Sequence, residues 1–345
     1  ETYRHNICPD NPESVYHADI RTFDMDQLAP IDALAFGFPC NDYSVVGEQK
    51  GMDGTFGPLY SYGVKALRQF RPQWFLAENV GGLRSANEGK ALKKILSELE
   101  DAGYIFHKRF LLNATDFGVP QRRKRFFILA TKNPRYILTA PKPTNNFEVT
   151  VSEAFAGLPV VKVNTNFEEK FYTETESNFS NLMRDKDFWK LGTGKIFELS
   201  YQVPMNHRKA TIERFKLLNP GESLKNLFER FEGDERKILQ EKRILPKKMF
   251  IKRNYRLKLD EPAPTVTSHC LDEFVHPTQN RALTVRECAR LQSFPDCYDF
   301  AGGPFIAPHI CKDIQDKYEQ IGDAEPPLMA YAWGKEIISI LKAIH

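Results

Sequence analysis

The sequence of 345 residues lacks the features that define several classes of protein. No apolar run approaches the ~18 residues that a membrane span needs, and no secretory signal opens the chain. The six cysteines include no Cys-x-x-Cys pair, so we expect no metal site, no disulfide framework, and reduced thiols in the cytoplasm. Internal repeats and low-complexity segments are absent, and the net charge is only +3. What remains is a globular protein of one large domain or two.

The first informative stretch places a cysteine at the end of a strand. The apolar run 31–36 is bounded by Pro30 and Gly37, which predicts a short buried strand that leads into the turn 37–44. Cys40 lies in this turn. Ligands bind at the carboxyl ends of strands in open α/β sheets, so Cys40 is a candidate nucleophile. On position alone, a metal ligand or a small buried apolar residue stays open.

Four further stretches follow in order along the chain. Trp74-Phe75-Leu76-Ala77 predicts a second buried strand, which ends in Glu78-Asn79. The other three are Gln121-Arg122-Arg123-Lys124-Arg125, Arg281-Ala282-Leu283-Thr284-Val285-Arg286-Glu287 and Gly322-Asp323-Ala324-Glu325-Pro326. If the first two strands are parallel neighbours, Glu78 lies at the same edge of the sheet as Cys40. A solvated surface carboxylate is the alternative for Glu78.

Local patterns predict further elements. Residues 15–20 predict a short strand, the polar segment 45–57 predicts a mobile loop, and Thr284 with Glu287 predicts a capping box at the start of a helix. Helical periodicity predicts three amphipathic helices. Their inward faces are Leu59, Tyr62, Gly63, Ala66, Leu67 and Phe70 in the first, Ala91, Ile95, Leu99 and Ala102 in the second, and Leu328, Tyr331, Ala332, Lys335, Ile338 and Leu341 in the third.

Taken together and in this order, the five stretches resemble the motifs of the DNA (cytosine-5)-methyltransferases, over residues 15–145 and 255–345. The resemblance implies an α/β fold with a doubly wound, mostly parallel sheet of the S-adenosylmethionine-dependent methyltransferase type and an inserted, smaller target-recognition domain. It further implies a catalytic core formed by residues 1–145 and 281–345, and a target-recognition domain formed by residues 146–280.

The same resemblance implies S-adenosyl-L-methionine as the cofactor. The positions that match its site are Asp19, Ile20, Pro39, Leu59, Asp323 and Ala324. Family members carry a Phe-x-Gly-x-Gly loop after the first strand and an acid after the second, and neither is found before Val15. We therefore expect an upstream segment of roughly one βαβ unit, from the same polypeptide or a partner chain. Without it, we expect weak cofactor binding and poor stability.

The resemblance also assigns the catalytic chemistry to four residues, Cys40, Glu78, Arg123 and Arg125. Attack of a thiolate on C6 of cytosine makes C5 nucleophilic enough to accept a methyl group. Glu78, with a raised pKa, would hydrogen bond at N3 and N4, and the arginines would hold the pyrimidine and a neighbouring phosphate. The target base lies inside the duplex and must be flipped out.

A basic region predicts the surface that meets nucleic acid. Residues 181–260 hold 20 Lys and Arg against 11 Asp and Glu, which is typical of phosphate contacts, although a solvated face is the alternative. The candidates for DNA contact, in part from the resemblance, are Asn41, Ser44, Asn79, Gln121, Lys247, Lys248, Lys252 and Arg253.

The sequence thus predicts a monomeric DNA (cytosine-5-)-methyltransferase that acts on double-stranded DNA. We interpret it as the modification half of a restriction system, with the endonuclease encoded nearby rather than bound. Methylation of structured RNA such as tRNA, or a catalytically silent DNA-binding relative, are the alternatives. Asn41 stands where the family more often has Gln, and its effect on the space around the flipped base stays open. Asp323 and Glu325 depart from the family's Gly-Asn-Ala-Val-Pro, and their effect on cofactor binding stays open as well.

Overall fold

A computed structural model describes residues 1–38, 59–84, 89–144, 147–165, 167–307 and 314–343. The chain forms two compact units, and we describe each by itself. The sheet unit comprises Tyr16–Ala114, Lys124–Thr144 and Ala330–His345, and the α-rich unit comprises Glu1–Val15, Thr115–Arg123 and Asn145–Met329. The contacts thus group residues 281–329 with 145–280. The division by function, with recognition ending at residue 280, stays a prediction.

The sheet unit contains four strands and three helices along its described residues. In chain order they are β1 (Ala33–Gly37), α2 (Tyr60–Phe70), β2 (Trp74–Val80), α3 (Lys90–Asp101), β3 (Phe106–Asn113), β5 (Lys124–Thr131) and most of α13 (Pro327–Lys342). The apolar runs at 31–36 and 74–77 form strands as predicted. Helix α3 ends where Gly103 adopts a positive φ of +94°, a conformation that costs glycine little.

The strands lie in the order β1-β2-β5-β3. Strands β1 and β2 pair in parallel, and β5 runs antiparallel to both β2 and β3. The α/β fold class is therefore confirmed. Of the three pairings in this described sheet, only the one between β1 and β2 is parallel. The other two are antiparallel because the chain changes direction after β3, so that β5 runs opposite to both β2 and β3.

Helices cover both faces of the sheet. On one face, α2 and α3 bury a cluster that includes Val64, Leu67, Ile95 and Leu99 against alternate residues of β2 and β5. On the other face, Trp333 of α13 packs on Phe127, with ring centroids 5.0 Å apart. Alternation along β5 explains this, because Phe126 and Ile128 point to the first face while Phe127 points to the second.

The inward faces of two helices differ from the sequence prediction. For α13 the periodicity predicted the stripe Leu328, Tyr331, Ala332, Lys335, Ile338 and Leu341, but Tyr331 and Ile338 are 44% and 54% exposed. Leu328 and Ala332 are buried as predicted, and Trp333 and Ile340 are buried with them, since the large indole of Trp333 turns toward the sheet. For α2 the predicted Leu67 is buried, but the other buried side chains are Tyr60 and Val64, which lie outside the predicted stripe.

The described part of the α-rich unit is built from short helices and four two-residue strands, which form two pairs. Its described elements are α1 (Thr2–Asn6), β4 (Gln121–Arg122), α4 (Val151–Phe155), α5 (Asn178–Arg184), α6 (Lys186–Trp189), α7 (Lys209–Lys216), α8 (Leu224–Arg230), α9 (Gly233–Glu241), β6 (Tyr255–Arg256), β7 (Ala263–Pro264), α10 (Cys270–Glu273), β8 (Phe274–Val275), α11 (Val285–Leu291) and α12 (Lys317–Asp323). Strand β4 pairs in parallel with β7, and β6 pairs in parallel with β8.

Helix α11 is wholly buried and carries its charges in pairs. Thr284 and Glu287 form the predicted capping box at its start. Glu287 also accepts two hydrogen bonds from Arg281 at 2.6 and 2.7 Å, and Arg290 donates to Asp296 at 2.6 Å. The carboxylates compensate guanidinium groups that are fully out of solvent, which is the condition for burying such charges.

Arg256 links distant segments of the α-rich unit. Its buried guanidinium donates to the carbonyls of Phe215 and Leu218 at the end of α7. The same group donates to the carbonyls of His276 and Gln279 in the loop after β8. The planar fork of arginine, with its five N–H donors, can reach several carbonyls at once. Arg256 is therefore a structural residue, although it belongs to the basic region.

The predicted strand at residues 15–20 does not form. The backbone N–H groups of Thr22 and Phe23 both donate to the carbonyl of Asp19, which closes a turn there. Aspartate favours such turns because its side chain can bond nearby backbone N–H groups, as it does here with Arg21. Among the described residues, no helix combines the length and apolarity needed to cross a membrane.

Candidate active site

Two of the predicted catalytic residues meet at the edge of the sheet unit. Arg125 Nε lies 2.7 Å from Glu78 Oε1, with the two side chains 13% and 28% exposed. The strand register explains the contact, because Val80 of β2 faces Arg125 of β5 and Glu78 is two residues away on the same side. The guanidinium stabilises the charged carboxylate and fixes its direction. A partly exposed carboxylate and a cation are thus held side by side.

Glu78 also lies at the end of the strand that leads to Cys40. In the parallel pairing of β1 and β2, Gly37 is the residue opposite Glu78. A Cβ atom on residue 37 would stand 3.4 Å from Glu78 Oε2, at ordinary contact distance, so Gly37 lies directly beside the carboxylate. The sequence indicated Gly37 only as a strand breaker, and its contact with Glu78 was missed. The signal that could have shown this contact is a glycine at the end of one predicted strand together with an acid at the end of the next one.

Asn79 joins the ends of the two strands. Its side chain is 2% exposed, its Nδ2 donates to the Phe38 carbonyl at 3.1 Å, and its Oδ1 accepts from the Val80 N–H at 2.8 Å. Asn79 was predicted to contact DNA and to shape the loop. Such burial does not suit a DNA contact, whereas the bond to Phe38 holds the backbone where the chain enters residues 39–44.

Four predicted site residues, Pro39, Cys40, Asn41 and Ser44, lie outside the described residues, as does the polar segment 45–57 that was predicted to be a mobile loop. Their roles stay predictions. What the structure provides is the frame that precedes them, namely β1, the backbone of Phe38 and the neighbouring end of β2.

Arg123 does not occupy the place that the resemblance implied. It is 2% exposed and belongs to the α-rich unit. Its guanidinium donates to the backbone carbonyls of Val266 at 2.5 Å, Gly322 at 2.9 Å and Ala324 at 3.1 Å. Donors that are held by buried carbonyls are not presented to a pyrimidine. The described bonds of Arg123 are thus structural, and they give no support to its predicted contact with the base.

Gln121 is also structural rather than a DNA contact. It is fully buried, and its Oε1 accepts from the Val266 N–H at 2.9 Å. Its Nε2 donates to the Leu291 carbonyl at 2.9 Å and to the Gln292 side chain. Both ends of the amide are thus bonded within the α-rich unit, and the predicted contact with DNA does not fit this arrangement.

Three predicted cofactor residues lie in the sheet unit. Arg21 Nη2 pairs with Asp19 Oδ2 at 2.5 Å, and the hydrogen bonds from Arg21 lower the pKa of Asp19 to about 2. Asp19 is therefore an exposed, ionised carboxylate, and both of its oxygens accept hydrogen bonds from Arg21. Ile20 is 40% exposed, and Leu59 is half-buried at the start of α2.

The other two cofactor candidates lie in the α-rich unit. The exposed Asp323 carboxylate accepts a hydrogen bond from Gln315 Nε2 at 2.9 Å. The Ala324 carbonyl accepts from Arg123 and from Gln292. These contacts fix the backbone of the Gly322-Asp323-Ala324 turn, and they leave the Asp323 side chain at the surface.

The four basic DNA-binding candidates, Lys247, Lys248, Lys252 and Arg253, are all exposed. Arg253 Nη1 lies 3.3 Å from Asp272 Oδ2. Within the part of the chain that the structure describes, Lys247 and Lys248 make no ion pair. These cations are accessible to phosphate groups, unlike the buried Arg256.

Comparison with known proteins gives the family of the chain. A profile of the C-5 cytosine-specific DNA methylases matches residues 1–339. The Type II methyltransferase M.BbvI of Brevibacillus brevis is 38% identical over 95% of this chain and 75% of its own length. M.DdeI of Desulfomicrobium norvegicum is 32% identical over 98% of this chain and 80% of its own length.

A solved structure supports the fold. It is the crystal structure of a proposed DNA modification methyltransferase encoded within an Escherichia coli prophage. Its TM-score is 0.67 at 23% identity, over 94% of this chain and 85% of that one. The chain therefore belongs to the C-5 cytosine-specific DNA methylase family, whose members take the methyl group from S-adenosyl-L-methionine.

Proposed function

We propose that this DNA (cytosine-5-)-methyltransferase flips a cytosine out of a specific double-stranded site and attacks its C6 with Cys40. One observation carries the proposal. The parallel ends of β1 and β2 bring Gly37, shortly before Cys40, opposite the carboxylate of Glu78, and Arg125 clamps that carboxylate at 2.7 Å. A nucleophile that leaves β1 at this edge would enter a site that already holds an acceptor and a cation.

We assign the steps of the reaction to individual residues. The Cys40 thiolate adds to C6, C5 takes the methyl group, the C5 proton is removed and the thiolate leaves. Glu78 contacts N3 and N4 of the ring, and Arg125 both orients Glu78 and supplies positive charge beside the pyrimidine. Asn79 positions the backbone of Phe38 and thereby the start of the segment that carries Cys40. Arg123 is not included among the groups that touch the base.

The described residues suit the cofactor in two respects. Asp19 offers an exposed and ionised carboxylate, which would exchange a hydrogen bond from Arg21 for one from an amine or hydroxyl group of the cofactor. Leu59 offers an apolar side chain that is half-buried and can contact an adenine ring. When bound, S-adenosylmethionine supplies an activated methyl group. The finer contacts of Ile20, Pro39, Asp323 and Ala324 with the cofactor stay part of this proposal.

The biological setting follows from the relatives. Those reported above are Type II methyltransferases of bacteria, which supports a role as the modification enzyme of a restriction system. We place the enzyme in the cytoplasm of a bacterial or phage-infected cell, where the DNA is. It acts there as a monomer, with the endonuclease encoded nearby rather than bound.

The test is transfer of a tritiated methyl group to DNA or tRNA by the full-length protein. We expect labelling of duplex DNA, no labelling with Cys40→Ser, and a rate that is lower by roughly a hundredfold or more with Glu78→Gln. Binding of the Cys40→Ser protein to DNA should be unchanged, which serves as the control for folding. Labelling of tRNA alone, or a Cys40→Ser protein that keeps more than a few per cent of the rate, contradicts the proposal.

A further inference from the structure

One loop of the α-rich unit exposes three consecutive apolar residues. Met249, Phe250 and Ile251 are 48%, 41% and 66% exposed. Side chains of this kind are usually buried, and an exposed apolar run flanked by polar residues marks an interaction surface. The segment lies between helix α9 and strand β6. We call residues 247–253 the apolar-tip loop.

Both ends of the apolar-tip loop are anchored. Before it, Leu245 is 1% exposed in an apolar cluster, and Gln240 Nε2 donates to the Pro246 carbonyl at 3.1 Å. After it, the backbone N–H and Nδ2 of Asn254 both donate to the Asp272 carbonyl at 3.0 Å. The exposure of the tip therefore reflects a loop that is displayed by a fixed base, and not an unanchored segment.

The charges of the loop all have one sign. Lys247 and Lys248 precede the tip, Lys252 and Arg253 follow it, and the loop holds no acid. Arg253 also stacks over the Phe250 ring, with its guanidinium carbon 4.9 Å from the centroid. Stacking of this kind restrains the aromatic ring of Phe250.

We propose that the apolar-tip loop is a specificity element that enters a groove of duplex DNA. The four cations contact phosphates on either side, and Met249, Phe250 and Ile251 contact base surface within the groove. Charge complementarity selects DNA as the occupant, because a polyanion on both sides of a groove matches cations on both sides of a tip. Apolar side chains that contact thymine methyl groups, or that wedge between base steps, are a known means of reading DNA.

This inference rests on the proposed function, since it assumes that the enzyme binds duplex DNA. It adds that the cations and the apolar tip of one loop have different roles in binding. The cations would contribute to binding of any sequence, and the tip would contribute only where the bases fit it. The two parts therefore predict different results in a binding experiment.

The experiment begins by mapping the site that the full-length protein methylates on plasmid DNA, with bisulfite sequencing. Binding is then measured with a short duplex that contains this site and with a scrambled duplex. With Met249→Ser/Ile251→Ser, which leaves the Phe250–Arg253 stack in place, we expect the Kd for the site duplex to rise about tenfold. The Kd for the scrambled duplex and the salt dependence should stay at the wild-type values.

Two further variants make the result specific. Lys247→Gln/Lys248→Gln should weaken binding to both duplexes and reduce the slope against salt. Phe171→Ser/Phe197→Ser removes two apolar residues that are more exposed than the tip, at 73% and 74%. The sequence around them, 168–174 and 195–198, holds four acids against two lysines, so this variant should change neither Kd. Unfolding curves establish that each variant is folded.

Equal losses on both duplexes, or no loss with Met249→Ser/Ile251→Ser, would overturn the inference. So would binding of the wild type to anionic lipid vesicles that this variant loses while its DNA binding is unchanged, because the tip would then serve a membrane surface. Failure of the wild type to methylate any cytosine would instead contradict the proposed function, and it would appear at the mapping step.

Discussion

The bond between Asn79 and Phe38 can be tested by the isosteric change Asn79→Asp. The variant keeps an oxygen that accepts from Val80, but it replaces the Nδ2 donor by a second oxygen that faces the Phe38 carbonyl at about 3.1 Å. At 2% exposure, the variant must bury a charge next to a carbonyl that no longer receives a hydrogen bond from residue 79. We expect the free energy of unfolding to fall by about 3 kcal/mol at pH 7. Asn79→Ala removes both hydrogen bonds of the side chain without adding a charge, and it should lower the free energy of unfolding by about 1–2 kcal/mol.

Urea unfolding and methyl transfer report on this bond separately. The turnover rate should fall more than the DNA affinity, because the bond fixes the backbone that leads to Cys40. At pH 5 part of the stability of Asn79→Asp should return, since a protonated carboxyl can donate to the Phe38 carbonyl. An Asn79→Asp protein within about 0.5 kcal/mol of wild type at pH 7, with full activity, would refute the reasoning.

Three further predictions concern packing and buried charge. Gly63→Ala should cost about 1–3 kcal/mol in urea unfolding, because a Cβ there overlaps the Phe36 ring, and wild-type stability would contradict it. Glu287→Gln should cost about 3–5 kcal/mol because it leaves the fully buried Arg281 without a carboxylate, and a thermal transition at the wild-type temperature would argue against this. Burial lowers the pKa of His276 to about 4 from 6.5, so its contribution of about 3 kcal/mol is present above pH 6.5 and is lost as the pH falls toward 4. His276→Asn should flatten stability over that pH range, and an unchanged slope would exclude His276 as the cause.

The sequence predicted the strands and helices whose signals lie within the element itself. The apolar runs before Gly37 and Glu78 gave β1 and β2, and the spacing of Ala91, Ile95 and Leu99 gave α3 with its buried face. The Thr284 capping box gave the start of α11. In each case the signal lies within one turn or one strand of the element that it determines.

The errors arise where burial depends on distant segments. Arg123 and Arg125 have the same local sequence pattern, yet Arg125 faces Glu78 while Arg123 donates to carbonyls at Val266 and Gly322. Nothing near residue 123 in the sequence signals those partners. The stripe of α13 was misplaced for a related reason, because Tyr331 and Trp333 are both large and only the packing against Phe127 selects the second.

Arg256 has a consequence for the order of folding. Its guanidinium is satisfied only when the end of α7 and the loop after β8, which are far apart in the sequence, have both reached their final places. Until then a charged group would have to remain in water, so its enclosure belongs to a late step in which three segments close together. The same residue that completes this unit thereby makes its assembly cooperative, because no one of the three segments can reach its native surroundings alone.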